Sequence, residues 1–249
     1  WQNAYAISNQ GIELQIKADL IRSEKLHWDF SFNIARNWDR LEKSNNGMDF
    51  NNLASKHNLN IIGKPLNGIY VFNDQGYYNS QDEVPLYYVN GRRKYLSSLG
   101  NQIYSPGDRR IQDVDGNGQV ATIIPLLEDR VYGGSPLPLA FGGIATTLKW
   151  KGIDVNLLFS YKLGRHVLNA GRGASVGTIL RANTAEMMVP ILANLDKVSF
   201  WQKPGDNADF PINELENGKN NFATNLKSNV EKINYLKLKS ISIGYILPV

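Results

Sequence analysis

The sequence predicts an all-β fold, a segment of a transmembrane antiparallel β-barrel with long extracellular loops. Period-2 alternation of apolar and polar residues recurs in five runs, about 11–22, 26–38, 141–150, 153–163 and 233–247, and that period sends alternate side chains to opposite faces of a strand. The links between the runs go short, long, short, long, as in bacterial outer-membrane barrels, whose periplasmic turns are short and whose extracellular loops are long. No stretch reaches the roughly 20 apolar residues that a membrane-crossing helix requires, whereas a crossing strand needs only about 9–11, with alternate residues facing lipid.

In the first run Ile12, Leu14, Ile16, Ala18 and Leu20 share one face, and Glu13, Gln15, Lys17 and Asp19 share the other. Ser23-Glu24-Lys25 is a short polar link. Leu26, Trp28, Phe30, Phe32 and Ile34 then alternate with His27, Asp29, Ser31, Asn33 and Ala35, so the two runs read as a hairpin. Both exceed the usual strand length of about 5–6 residues in globular proteins. From 39 to 137 the chain is rich in Asn, Gly, Asp, Tyr and Pro, with short β-prone runs at Gly68–Phe72 and Leu86–Val89. This is too long for an ordinary loop and is expected to be a structured excursion with hairpins of its own.

Alternation returns at Ile144, Thr146, Leu148 and Trp150. Lys151-Gly152 makes a tight turn, and Ile153, Val155, Leu157, Phe159, Tyr161 and Leu163 complete a second hairpin. A second excursion spans 164–232. Within it Met187, Met188, Ile191, Leu192 and Leu195 have helical spacing over 182–196, interrupted by Pro190. The last run alternates less cleanly, with Leu236 and Leu238 on one face and Ile241, Ile243 and Tyr245 on the other. Trp28, Trp150, Tyr161 and Tyr245 lie towards strand ends, where an aromatic girdle belongs.

On this pattern the turns at 23–25 and 151–152 are periplasmic and the excursions extracellular. Five strands cannot close a barrel, and an open edge in lipid leaves amides unpaired. That requirement, the start at Trp1 without an initiator Met and the end directly after a strand-like run lead to the expectation of a portion of a longer protein. Lys and Arg number 27 against 23 Asp and Glu. This mild excess is dispersed, unlike the basic face of a nucleic-acid binder, so no nucleic acid is expected as a partner. The chain has no cysteine, which rules out disulfides and thiolate metal sites.

The sharpest local motif is Asp113-x-Asp115-x-Asn117-Gly118-Gln119. Oxygen ligands at alternate positions followed by a Gly match the first half of a calcium loop, which makes Asp113, Asp115, Asn117 and Gln119 candidate ligands and calcium a candidate cofactor. Ile124 stands where the closing acid belongs, with Glu128 and Asp129 a few residues later. The other reading is a polar turn held by Asx-type hydrogen bonds. His27, His57 and His166 lack ligand spacing to one another. No nucleophile elbow, phosphate loop or defensible acid/base pair is present, so no catalytic residue and no enzyme activity is expected. Tyr70, Tyr77, Tyr78, Tyr87, Tyr88 and Trp201 are positioned either to stack on sugar rings or to pack on each other.

Several stretches together resemble one family. Ile7-Ser8-Asn9-Gln10-Gly11-Ile12-Glu13-Leu14, where a strand begins after a loop, resembles a signature of TonB-dependent transporters, and Trp28–Ala35 resembles the next strand. Gly63-Lys64-Pro65-Leu66 with Gly68-Ile69-Tyr70, Gly76-Tyr77-Tyr78 with Asp82-Glu83-Val84, and Pro106-Gly107-Asp108 with Asp113–Gly118 resemble elements of its SusC/RagA branch. So do Asp129-Arg130 with Gly134-Ser135-Pro136, Phe200-Trp201 with Pro204 and Pro211, and Tyr235–Lys239 with Ile243-Gly244-Tyr245. Their order covers nearly the whole chain. The resemblance implies part of a plugged barrel of about 22 strands in the outer membrane of a Gram-negative bacterium of the Bacteroidetes type. It further implies import of oligosaccharide or peptide nutrients, energy supplied by TonB, and a SusD-like surface lipoprotein as lid. The plug domain and the TonB-contacting segment would lie N-terminal to this chain. Two other readings are a structural or protein-secretion-associated outer-membrane barrel, and a soluble glycan-binding β-sandwich whose apolar strand faces meet in a core.

Overall fold

The computed structural model describes residues 5–44, 50–51, 58–120, 128–169, 171, 199–212, 219 and 223–247. The helical spacing at 182–196 and His57 lie outside them. Two long strands open the chain, β1 (Ala6–Arg22) and β2 (Leu26–Lys43). Short strands follow: β3 (Phe50–Asn51), β4 (Asn58–Asn60), β5 (Gly68–Phe72), β6 (Asp74–Tyr77), β7 (Leu86–Val89), β8 (Arg92–Tyr95), β9 (Ser97–Ser98), β10 (Arg109–Ile111), β11 (Gln119–Val120) and β12 (Arg130–Gly134). The long strands β13 (Ala140–Trp150), β14 (Ile153–Leu168) and β15 (Val230–Tyr245) complete the order. Among the described residues no helix is long and apolar enough to cross a membrane, which says nothing of strands.

The five long strands form one antiparallel sheet in the order β1-β2-β13-β14-β15. The first excursion is inserted between β2 and β13 without separating them, because Ile34 pairs with Gly142 and Trp28 with Leu148. Both hairpin turns are tight. Ser23 N–H donates to the Leu26 carbonyl at 2.9 Å, and Lys151 and Gly152 take φ of 46° and 81°, the double positive φ of a two-residue hairpin turn.

The register collects the apolar residues of all five strands on one face. One row runs Ile16, Phe32, Ile144, Phe159, Leu238, and the row beside it runs Lys17, Ser31, Ala145, Leu158, Ser240. Two bulges keep the apolar set in phase. Leu20 of β1 has no partner in β2, so Ile21, not Leu20, stands opposite Trp28. In β15 the pairing steps from Leu158–Ser240 to Phe159–Leu238 and leaves Lys239 as the extra residue. This unpaired residue flips the alternation, so that Leu236 and Leu238 join Ile241, Ile243 and Tyr245 on one face. The uneven pattern of the last run is thereby explained as one apolar face interrupted by a bulge.

Among the described residues much of that face is exposed, Ile12 at 67% and Ile243 at 70%, while Tyr161 is buried. A soluble sandwich requires it to be buried against a second sheet, so the exposure counts against that reading. At the turn end the same face carries Trp28, Trp150 and Tyr245, with Trp150, Ile153 and Tyr245 in one row. Towards the other end Tyr161 lies over Gly142, its ring stacked on Phe32 at 6.0 Å and its hydroxyl donating to the Asn33 carbonyl at 2.9 Å.

The buried core sits elsewhere. Phe72, Tyr78, Val84, Leu96, Tyr104, Ile111, Val120 and Leu226 form one cluster, built from the first excursion and one residue preceding β15. The excursion is therefore a packed lobe standing on the end of the sheet.

Candidate functional site

The lobe is fastened to the sheet by the Gly63–Leu66 stretch. Gly63 N–H donates to the Leu41 carbonyl at 2.7 Å, Leu41 N–H donates to the Lys64 carbonyl at 3.1 Å, and Leu66 N–H donates to Asp39 Oδ1 at 3.0 Å. Further along, Gly134 takes a φ of 143° with the His166 ring against it. A Cβ there would collide with that ring. These contacts fix the lobe to the ends of β2 and β14.

Inside the lobe, motifs far apart in sequence meet. Gly107, at a φ of 88°, lies under the Trp201 ring with no room for a Cβ. Ile212 N–H donates to the Gly107 carbonyl at 2.9 Å. Asp108 is fully buried, and its Oδ2 accepts from Ser105 N–H at 2.8 Å and from Lys219 Nζ at 2.6 Å. A second buried pair joins Arg109 to Asp74 at 3.1 Å, and Asp74 also accepts from Ser228 N–H at 2.9 Å. The Lys219–Asp108 pair ties the second excursion to the first, and the Ser228 amide on Asp74 ties the segment entering β15 to it. Neither Lys219 nor Asp74 was singled out by sequence, because nothing local marks a residue whose partner is more than a hundred positions away.

The six candidate aromatic residues fall into three groups by exposure. Tyr70, Tyr78 and Trp201 are buried in the lobe, where they pack rather than face outward. Burial pushes the Tyr78 hydroxyl up to about 12 and raises Tyr104 as well. Tyr77 and Tyr87 are half-buried, with the Arg109 guanidinium over the Tyr77 ring. Tyr88 alone of the six is strongly exposed, at 70%, on a hairpin where Arg93 donates to its hydroxyl.

The Asp113 loop is closed by its own amides. Asp113 Oδ1 accepts from Gly116 N–H and Oδ2 from Gly118 N–H, each at 2.8 Å. Asp115 accepts from Asn117 N–H at 3.0 Å, and Asn117 accepts from Gln119 N–H at 2.7 Å. Gln119 turns its side chain to Asn101 at 3.0 Å. Gly116 and Gly118 supply φ of 74° and 80°. The fold brings in Asp129, fully buried, whose Oδ1 accepts from Val114 N–H at 2.9 Å. One carboxylate oxygen from each of Asp113, Asp115 and Asp129 lies within 4.8 Å of the others. Asp129, beyond the loop's own span, is thus brought beside it. Tyr87 packs on Gly118; burial first, and then its hydrogen bond to Asp113, push its hydroxyl up to about 12.

The polar face of the sheet holds a second cluster. Asp19 pairs directly with Asp29, and His27 Nε2 is 2.9 Å from Asp29 Oδ1. Sequence spacing missed it because the three residues meet only across the hairpin.

These features define a class: an arc of antiparallel barrel wall, apolar on one face and polar on the other, carrying a packed loop lobe. No family model matches the chain. It is similar to two proteins of Formosa agariphila: TonB-dependent receptor P3, at 26% identity over 99% of this chain and 22% of that protein, and TonB-dependent receptor P39, at 23% identity over 98% and 24%. The chain therefore spans less than a quarter of the length of the first. Its fold is that of structures of the RagAB peptide importer in a closed-closed state (TM-score 0.59, 20% identity, 99% of this chain and 24% of that one) and of the RagAB peptide transporter (TM-score 0.58, 19% identity, 99% and 23%). The likeness to TonB-dependent receptors of the SusC/RagA type thus stands on sequence and on fold. The relatives are named as receptors and importers, not enzymes.

Proposed function

We propose that this chain is a wall arc and loop lobe of a TonB-dependent outer-membrane transporter that imports an oligosaccharide or peptide nutrient. The observation that carries the reading is the single exposed apolar face, kept in phase across five strands by bulges at Leu20 and Lys239 and backed by a polar face. Lipid is the medium that makes such a face favourable. The outer edges of β1 and β15 need neighbours, so further strands come from chain beyond this segment. In this reading a plug domain and the TonB-contacting region precede it, a SusD-like lipoprotein caps the lobe side, and the host is a Gram-negative bacterium of the Bacteroidetes type.

The test is to extract the native protein from outer membrane in detergent, measure its intact mass with its co-purifying chains, and assay nutrient uptake with and without TonB. A polypeptide several times this length, a bound lipoprotein and TonB-dependent uptake support the reading. A soluble species of this chain's mass would sink it. An outer-membrane complex that moves or anchors protein cargo without TonB would favour the secretion-associated barrel.

We further propose that Asp113, Asp115 and Asn117, joined by Asp129, form a loop able to take a hard cation such as calcium. Support comes from three carboxylates drawn together around one spot, because like charges this close are eased by a cation. Terbium luminescence sensitised by Tyr87, displaced by calcium and lost in Asp129→Asn, is the expected result. A signal unchanged in that variant leaves the loop as a polar turn.

A further inference from the structure

On the apolar face, Gly142 stands in register between Ile34 and Tyr161, and the Tyr161 side chain lies across it. Around it Phe32, Ile34, Ile144, Tyr161, Leu163 and Leu236 line an open, almost wholly apolar hollow of about 490 Å³. It spans β2, β13, β14 and β15, the last of which is an edge strand of the described sheet. Directly beyond it towards the lobe is a smaller hollow of about 260 Å³, lined among others by Arg36, Trp38, Leu137, Leu139 and His166. The two adjoin on two strands, since Arg36 follows Ile34 on the same face of β2 and Gly164 follows Leu163 on β14.

Arg36 is the first charged residue on this face of β2 after Trp28, Phe30, Phe32 and Ile34. Its guanidinium lies over the Trp38 ring at 5.7 Å. Trp38 Nε1 donates to Gln10 Oε1 at 3.1 Å, which holds that ring in place. Among the described residues Arg36 has no carboxylate partner. Asp39 also lines the smaller hollow, but it falls on the opposite phase of β2 and its Oδ1 takes the Leu66 amide. The arrangement is an apolar trough ending at the Arg36 guanidinium, where the apolar band stops.

We propose that these two hollows hold one phosphate-bearing lipid of the outer leaflet, with an acyl chain against Ile34, Ile144 and Leu236 and a phosphate oxygen on Arg36. This rests on the outer-membrane reading above, which turns the face to lipid and the lobe outward. Guanidinium suits phosphate because its planar fork meets two oxygens at once, and basic pockets at the membrane boundary bind anionic headgroups.

The test uses the full-length protein in detergent, with native mass spectrometry reading retained lipid. The probes are a monophosphorylated lipid A, its dephosphorylated form, and inorganic phosphate as competitor. Arg36→Ala is expected to weaken retention of the phosphorylated probe by about fivefold or more, the equivalent of one basic residue at a charged surface, and to leave the dephosphorylated probe unchanged. Ile144→Trp, which fills the trough, is expected to weaken both. Equal retention by wild type and Arg36→Ala overturns the inference, and so does displacement by inorganic phosphate alone, which would make Arg36 a free-anion site. Every variant is first checked for outer-membrane fractionation and for the gel shift of a folded barrel. A wild-type protein absent from that fraction fails the transporter reading; one present there with unchanged lipid retention in Arg36→Ala fails only this inference.

Discussion

Gly142→Ala is the sharpest test of the wall. A Cβ at Gly142 would press on the Asn33 backbone carbonyl well inside contact distance and would stand 2.8 Å from the Tyr161 hydroxyl. Neither neighbour gives way easily. The carbonyl belongs to β2, paired to β13 through Ile34–Gly142 and Asn33–Gly143, and the hydroxyl is bonded to that same carbonyl at 2.9 Å. Overpacking at a well-fitted position costs about 1–3 kcal/mol, and a lost hydrogen bond about 0.5–1.5 kcal/mol. A local destabilisation of about 2–4 kcal/mol is therefore expected, equivalent to opening the pair roughly thirtyfold to several hundredfold more often. Hydrogen–deuterium exchange of the full-length protein, followed in peptides covering 26–38 and 140–150, reads this directly. Tyr161→Phe is the control, expected to show only the hydrogen-bond share. Unchanged exchange in Gly142→Ala would refute the close approach of β2 and β13 at this glycine.

Deleting Lys239 is expected to leave barrel assembly intact, because residues 236–245 then alternate without a break. Deleting Ser242 sends Ile243 and Tyr245 to the polar face at about 1.5–3 kcal/mol each, and the heat-modifiable folded band should be lost. Asp108→Asn leaves the buried Lys219 ammonium without its carboxylate, a loss of about 3–5 kcal/mol, read as faster proteolysis of the lobe while the wall stays folded. The lobe should also weaken at high pH. Tyr78 and Tyr87 are raised from 10.0 to about 12, so the folded lobe holds their protons more tightly than the unfolded chain. That stability is complete below about pH 10 and is lost as pH climbs towards about 12. Tyrosinate absorbance that lags behind the exposed tyrosines over this range checks it, and Tyr78→Phe should remove part of the lag.

Much of the wall was legible because a strand with one face in lipid and one in water must write its period into its residues. Trp28, Phe30, Phe32 and Ile34 could be assigned to one face without coordinates. The last run resisted for a physical reason: a bulge adds one unpaired residue, so Leu236 and Ile241 read as opposite faces although they share one. Leu20 misled in the same way. In the lobe, Pro106-Gly107-Asp108 and Phe200-Trp201 could be noticed as stretches, but not that the Trp201 ring covers Gly107. The Asp113 loop offered four candidate ligands, Asp113, Asp115, Asn117 and Gln119; the fold turns the Gln119 side chain to Asn101 and brings Asp129, which lay outside the expected spacing, beside the loop.

The sequence by itself determined what local chemistry dictates: which residues alternate, where turns fall, and that long excursions separate the two hairpins and the last strand. Those follow from backbone period and from the conformational demands of Lys151-Gly152 and its like. Only the tertiary structure decided how the hairpins pair across an inserted lobe, where the extra residues Leu20 and Lys239 restore the phase, and which charges are buried together. Pairing between β2 and β13, or between Asp108 and Lys219, joins residues about a hundred positions apart or more. Such contacts are selected by the packing of the whole chain, and no local window of sequence contains both partners.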